Sequence, residues 1–318
     1  MRSTILFSII FCFFFLVKTS AQVSENWAQF RGPNGQGIST ATGLPTHWST
    51  DDNIAWKTEI PGESWSSPIV WDDHVFLTTV TEEGKNCHVI AVSRKTGKIL
   101  WDKMVFTQKA EQKHSMNSHA TPTPVTDGKT VYAVFGNGGI AALDFDGNVR
   151  WTNTDLDFYS HHGKGTSPIL YKEMLILAIN HSNTEEPKRL GWQLPWDKSY
   201  LLALDKNTGK ELWRGSRGMT RIAHSTPVIM QVNGKDQIIS VAGDVIQGFD
   251  PANGNLIWTA DSDGEPAVPT PALGGGLIFS IRNVGCGGVH HGWIQSRNAN
   301  IFIHQWRERQ TDISKGIG

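Results

Sequence analysis

Twelve histidines stand in the 318-residue sequence, and imidazole is the side chain best suited to metal binding or proton transfer near neutral pH. Two of them occupy matching places. Short Pro-led segments open at Pro68, Pro122, Pro168, Pro227 and Pro271, and the third residue before each is Trp65, His119, Gly165, His224 and Val268. His114, His161, His162, Lys164 and Arg221 fall close by. If the segments are equivalent, these positions gather around one end of the fold. There Trp65, His119, Lys164, Arg221 and His224 form a candidate ligand-binding set. Arg221 and Lys164 suit a carboxylate or phosphate, and His119 with His224 suits a divalent metal. No H-x-x-x-H spacing on one element supports the metal version. The plainer reading of the same residues is a polar rim that holds water and structural hydrogen bonds.

Other chemistry-bearing groups carry less. Cys286 with His290 and His291 lies between glycines that give no rigid support. Gly32 to Gly37 is glycine-rich, yet no strand-turn-helix pattern surrounds it, which removes the usual phosphate loop. Asn180-His181-Ser182 is a formal glycosylation sequon that matters only in a eukaryotic secretory pathway. No nucleophile, base and acid stand at a telling spacing, so the sequence favours a non-catalytic protein.

The elements that must position these residues come from a repeat. Thirteen tryptophans are many for this length, and a recurring structural slot explains them. Trp101, Trp151, Trp213 and Trp258 each close a similar stretch, clearest from Ala203 through Asp205, Thr208 and Gly209 to Trp213. Trp56 resembles the end of a further copy. Spacings from Trp56 onward are 45, 50, 62 and 45 residues. Each copy reads as an apolar strand, a tight Asp/Asn/Gly turn and a returning strand. A Pro-led strand and an apolar strand precede it, as in Val131 to Val134. Four short strands in 40 to 50 residues is the arithmetic of a propeller blade. The 62-residue spacing contains an insertion at 183–198 with Trp192 and Trp196, aromatics suited to a sugar or peptide surface.

The stretch Ala203 to Trp213 resembles the tryptophan-docking motif of the pyrroloquinoline-quinone-like β-propeller family, and the resemblance spans residues 27–281. It implies an all-β propeller of four-stranded blades, about seven or eight when intact, of which about four full blades and partial ones are present. It also implies that Trp101, Trp151, Trp213 and Trp258 staple adjacent blades, with Ala203 and Gly209 forming such a slot. Some members are quinoprotein dehydrogenases that oxidise an alcohol or sugar with pyrroloquinoline quinone and Ca²⁺. This chain lacks the adjacent cysteines of the alcohol dehydrogenases and any recognisable Glu, Asn and Asp set for Ca²⁺. The favoured function is therefore a platform for a protein or polysaccharide partner, with no confident cofactor. Quinoprotein chemistry is the alternative.

Residues 1–21 read as a signal peptide: Arg2, an apolar run from Ile5 to Val17, and Thr19-Ser20-Ala21 before the cut. The run is short for a membrane span, so the expectation is export to the periplasm or the exterior. A net charge of −1 without runs of like charge gives no basis for nucleic-acid binding. Blade residues extend over 22–282. From 283 to 318 no docking motif follows, and the expectation is an atypical tail, frame-shifted or disordered, in a truncated reading frame. A natural tail packed on a smaller propeller is the other reading.

Overall fold

The structure is a computed structural model that describes residues 26–185, 189–262, 268–284, 288–297 and 300–305. The signal-peptide segment, Cys286 and residues 306–318 lie outside them. Twenty strands form five four-stranded antiparallel sheets, each in simple sequence order. The first holds β1 (Ile69–Trp71), β2 (His74–Thr81), β3 (Asn86–Ser93) and β4 (Ile99–Thr107). The second holds β5 (Val125–Thr126), β6 (Thr130–Val134), β7 (Ile140–Asp144) and β8 (Val149–Asn153). The third is β9 (Ile169–Tyr171), β10 (Met174–Ile179), β11 (Tyr200–Asp205) and β12 (Glu211–Ser216). The fourth is β13 (Val228–Val232), β14 (Lys235–Val241), β15 (Val245–Phe249) and β16 (Leu256–Asp261). The fifth is β17 (Ala272–Gly274), β18 (Leu277–Val284), β19 (Gly288–Arg297) and β20 (Asn300–Gln305). The architecture is the expected β-propeller.

Both faces of a middle blade are covered, which is why its central strands read as unbroken apolar runs. In β6, Val131 and Ala133 pack toward the first blade, while Tyr132 and Val134 pack toward the third. In β10, Leu175, Leu177 and Ile179 join the second blade, and Ile176 and Ala178 join the fourth. The two-residue period of a strand assigns alternate side chains to alternate neighbours.

Two staples link the blades. At the outer edge, Trp56, Trp101, Trp151 and Trp213 lie over Gly97, Gly147, Gly209 and Gly254 of the next blade. Gly209 has φ +71°, and a Cβ there would sit 2.5 Å from the Trp151 ring, so only glycine serves. The indole Nε1 of Trp56, Trp101 and Trp151 donates to the Arg94, Phe145 and Lys206 carbonyls at 2.8, 2.8 and 2.9 Å. The register shifts just beyond Ala91, Ala142, Ala203 and Gly248, the residues opposite Trp101, Trp151, Trp213 and Trp258. Such a bulge re-aims the side chains beside it. At the inner edge, the Ser67 amide donates to Thr123 Oγ1, Thr123 to Ser167 Oγ and Ser167 to Thr226 Oγ1, each at 3.0 Å.

That inner chain corrects one alignment. The hydroxyl partner in the second blade is Thr123, and β5 begins at Val125, so the blade-opening proline is Pro124 and not Pro122. The equivalent of Gly165 and His224 is then Thr121, and His119 stands two residues upstream of it.

Among the described residues neither staple is seen at the fifth sheet. Thr270 Oγ1 is buried without a hydrogen-bond partner. Trp258 turns back onto Gly248 of its own sheet and donates to Gln237 Oε1 at 2.8 Å. The sequence shows no blade periodicity beyond Asn283, yet Gly288–Arg297 and Asn300–Gln305 pair as the third and fourth strands of this sheet. Backbone pairing continues where the docking motif does not.

The segment 26–37 crosses the inner strands. Trp27 exchanges two backbone hydrogen bonds with Val70 in β1, and the Thr126 amide in β5 donates to Ala28 O. Gly35 approaches Val228 of β13, and Gln36 Oε1 accepts from the Leu273 amide in β17 at 2.7 Å. Ladder groups that face the axis thus find partners in a polar strap.

Trp151→Ala is expected to lower unfolding free energy by ~3 kcal/mol or more, as for a large aromatic removed from a packed slot. Trp258→Ala, whose ring lies over no fifth-sheet glycine among the described residues, should cost clearly less. Equal losses in urea titration of the two variants would refute the outer staple.

Candidate functional site

The loops that leave one blade's outer strand and enter the next blade's inner strand all emerge at one end of the sheets. These are residues 108–124, 154–168, 217–227 and the stretch before Pro271, joined by 62–67 before β1. The insertion between β10 and β11 emerges at the same end. It is tied there by backbone bonds between Trp196 and Thr220 and by the Ile222 amide donating to Gly191 O.

His162 is the hub of an imidazole cluster. Its ring centroid lies 4.9 Å from His161, 4.8 Å from Trp192, 5.7 Å from His224 and 6.0 Å from His114. His161 stacks on Trp192 at 4.7 Å with planes 18° apart, and Arg189 Nη1 approaches His161 Nε2 at 2.6 Å. Arg221 donates from Nε to Trp192 O at 2.8 Å, while its amide donates to Asp244 Oδ1 at 2.8 Å. Burial, followed by the neighbouring imidazoles, pushes the pKa of His162 down to about 4. His224 is held down to about 4 by burial and then by the charge of Lys164.

The five candidate residues therefore divide. His224 and Arg221 belong to the cluster, with Gly165 leaving room for the His224 side chain. Lys164 is 2 % exposed; its ammonium donates to Ala178 O at 3.2 Å and lies 4.6 Å from the Phe158 ring centroid. Burial lowers its pKa to about 7. His119 stands apart, wedged between Gly84 and Gly136, with burial first and then Lys113 lowering its pKa. Trp65 is on the rim, 59 % exposed, with its amide donating to Ala120 O. The metal pairing of His119 with His224 thus loses the equivalence that suggested it.

Sequence reasoning missed Arg217. It is 1 % exposed, with Nε donating to Gln247 Oε1 at 3.2 Å and Nη1 to Asn180 Oδ1 at 2.9 Å. Burial lowers its pKa to about 10, against the opposing field of Asp244. A single arginine at a strand end carries no pattern. Its only signal was the placing of a cation directly after the exposed outer strand β12. The histidine cluster is thus rich in cations and imidazoles, with Asp244 beside Arg221, while Glu63, Glu111, Asp155 and Asp157 stand elsewhere on the same loops.

Among the described residues no group of three or more His, Cys, Asp or Glu side chains gathers as a metal site. Calcium needs six or more oxygens, and an imidazole-lined, cationic mouth is the wrong donor set. The described residues do not fit a Ca²⁺-supported quinone. Cys87 is a buried free thiol whose pKa burial raises, the behaviour of a packing residue.

A sequence model of the family described as outer membrane protein assembly factor BamB matches residues 38–184 and 191–283. No curated protein matches the chain in sequence. Among solved structures, BamB from Moraxella catarrhalis is similar at 16 % identity over 76 % of each chain, with a TM-score of 0.41. Quinohemoprotein alcohol dehydrogenase from Comamonas testosteroni is similar at 12 % identity, covering 77 % of this chain and 41 % of that one, with a TM-score of 0.45. The enzyme ADHIIG from Pseudomonas putida HK5 is similar at 14 % identity, covering 85 % of this chain and 45 % of that one, with a TM-score of 0.46. This chain spans less than half the length of either dehydrogenase. The likeness extends no further than fold.

Because His162 and His224 resist protonation in the fold, the unfolded chain takes up protons first on acidification. Their contribution to stability is complete above about pH 6.5 and is lost as pH falls toward 4. In urea titrations from pH 7 to 4, His162→Gln and His224→Gln should each lose less stability than the parent chain. Parallel curves would show that these imidazoles are not desolvated.

Proposed function

We propose that this chain, which belongs to the family described as outer membrane protein assembly factor BamB, is an exported, non-catalytic propeller that holds a protein partner against the loop end of its blades. One observation carries the reading. The loops at that end expose large apolar side chains: Trp65 at 59 %, Met116 at 80 %, Met219 at 66 % and Val268 at 63 %. The same end carries the half-buried Arg189, Arg221 and Trp192. Exposed Trp and Met on one surface is the composition of a protein interface. Stabilising the fold cannot account for side chains that solvent surrounds.

The family description directs the choice of partner to proteins of outer-membrane assembly, and export follows from the pattern of residues 2–21. No helix among the described residues is long and apolar enough to cross a membrane. Arg189 and Arg221, held against His161 and Trp192, add positive charge at this end, whose field favours encounter with a partner segment that carries carboxylates.

Photo-crosslinkers at Trp65 and Met116, with Leu212 on the outer edge as control, identify the partner in cell envelopes. Purified, that partner should bind the double variant Trp65→Ala, Met116→Asp at least tenfold more weakly, by interferometry, and Leu212→Asp unchanged. Adducts from Leu212 alone, or unimpaired binding by the double variant, would overturn the reading. Mass spectrometry of the exported chain should find Gln22 at its N-terminus; an intact Arg2 segment would remove the signal-peptide assignment.

A further inference from the structure

The insertion that distinguishes the third blade builds a second feature, away from the histidine cluster. A hollow of about 430 Å³ opens between the second and third blades, lined by Asp155, Asp157, Trp196, Lys198, Tyr200 and Arg214, with His181 at its back. The volume falls within the range of about 300–1,000 Å³ usual for small-molecule sites. Its walls are held from several elements. Trp196 is fixed by two backbone bonds with Thr220, at 2.9 and 3.3 Å. Tyr200 begins β11, with the Arg214 guanidinium 4.8 Å above its ring centroid and the His181 ring 5.8 Å away. His181 is seated on Phe158 at 5.5 Å, and its amide donates to Ser199 Oγ at 3.1 Å. Asp155 is set by its amide donating to Asn153 Oδ1 at 3.2 Å.

The charges decide what fits. Two carboxylates and two cations line one hollow, yet among the described residues no ion pair joins Asp155 or Asp157 to Lys198 or Arg214. Lys198 reaches only Asp197, at 4.0 Å, and Arg214 spends Nε on Glu211 at 2.8 Å. The carboxylates keep acceptor lone pairs, and the guanidinium keeps its Nη donors. An anion entering here meets Asp155 and Asp157, and a cation meets Arg214 and Lys198. A neutral ligand whose groups both donate and accept uses all four, and hydroxyls do this. The flat aromatic surface of Trp196 offers contact to an apolar face of the same ligand. A sugar ring combines an apolar C–H face with a rim of hydroxyls.

We propose that this hollow binds a neutral sugar unit, stacked on Trp196 and hydrogen-bonded by Asp155, Asp157 and Arg214, so that the chain contacts carbohydrate independently of its protein partner. The hollow shares the loop end but uses none of Trp65, Met116, Met219 or Val268, so its test is indifferent to that partner surface.

Full-length mature protein is titrated with cellobiose, maltose, N,N′-diacetylchitobiose and glucose, followed by calorimetry and tryptophan fluorescence. Saturable binding of at least one is expected, with a fluorescence change. Trp196→Ala should weaken it tenfold or more and abolish the change, while Trp196→Phe restores part of the affinity. Asp157→Asn and Arg214→Gln, both on exposed side chains, should weaken it with unaltered thermal midpoints; they carry the test if Trp196→Ala is unstable. Absence of saturable binding by all four sugars overturns the proposal. So does binding that none of these substitutions alters, or binding of charged peptides in place of sugars.

Discussion

An indole laid over a glycine is the contact on which the rest of this molecule depends. A blade is a small sheet with two apolar faces, and neither face is buried until a neighbour stands against it. Apolar burial drives that association but has no direction. The Trp151 ring over Gly209 supplies direction, because the Nε1 donor must reach the Lys206 carbonyl while the ring fills a space that admits no Cβ. The bulge opposite each of these tryptophans repeats at one position in four sheets. The contact is therefore a property of the repeat and not of one lucky side chain. Once it sets the angle between blades, the inner edges converge and the loop ends come together.

The inner chain of hydroxyls is the weaker partner in this arrangement. A neutral hydrogen bond contributes about 1 kcal/mol net, against ~3 or more for a buried aromatic. What Ser67, Thr123, Ser167 and Thr226 supply is register, since each amide before a blade-opening proline has one hydroxyl to find in the next blade. Thr270 and Trp258 mark a junction where neither device operates, although the strands of the fifth sheet still pair. Ladder hydrogen bonds and interblade docking are thus separable, and only docking depends on the motif.

That separation explains what was legible in the sequence. Ala203 to Trp213 announces blade, slot and staple together, because every residue in it answers to a local backbone or packing demand. β19 and β20 were invisible to the same reasoning, since a strand can pair through its backbone without the docking residues that made the other copies recognisable. The proline ladder was legible as a pattern and ambiguous in register. Two prolines, at 122 and 124, both fit a strand start, and only the hydroxyl of Thr123 distinguishes them. The two-residue slip moved His119 out of the cluster while His224 stayed. Arg217 and the hollow beside Trp196 could not be read, because their partners lie at separations that follow no period: Asn180 and Gln247 in one case, Asp157 and Tyr200 in the other.

The loop end holds its central cations and imidazoles out of water. Lys164 and Arg217 are buried with carbonyl and amide partners and without a paired acid, a costly state that depresses both pKa values. His162 and His224 stay neutral under the same desolvation. A general acid or base would need one of these groups exposed to a substrate and opposed by a tuned partner, whereas Lys164 faces Ala178 O and the Phe158 ring. Carboxylates brought to the rim by a partner would lower the cost of the buried cations and raise the pKa values of His162 and His224. Proton uptake is then the thermodynamic companion of docking an acidic segment, since the ligand that favours a protonated group is favoured by it in turn. The fold holds these groups in their uncomfortable states through the outer and inner staples, so the same contact that closes blade on blade also sets the charge of the surface they present.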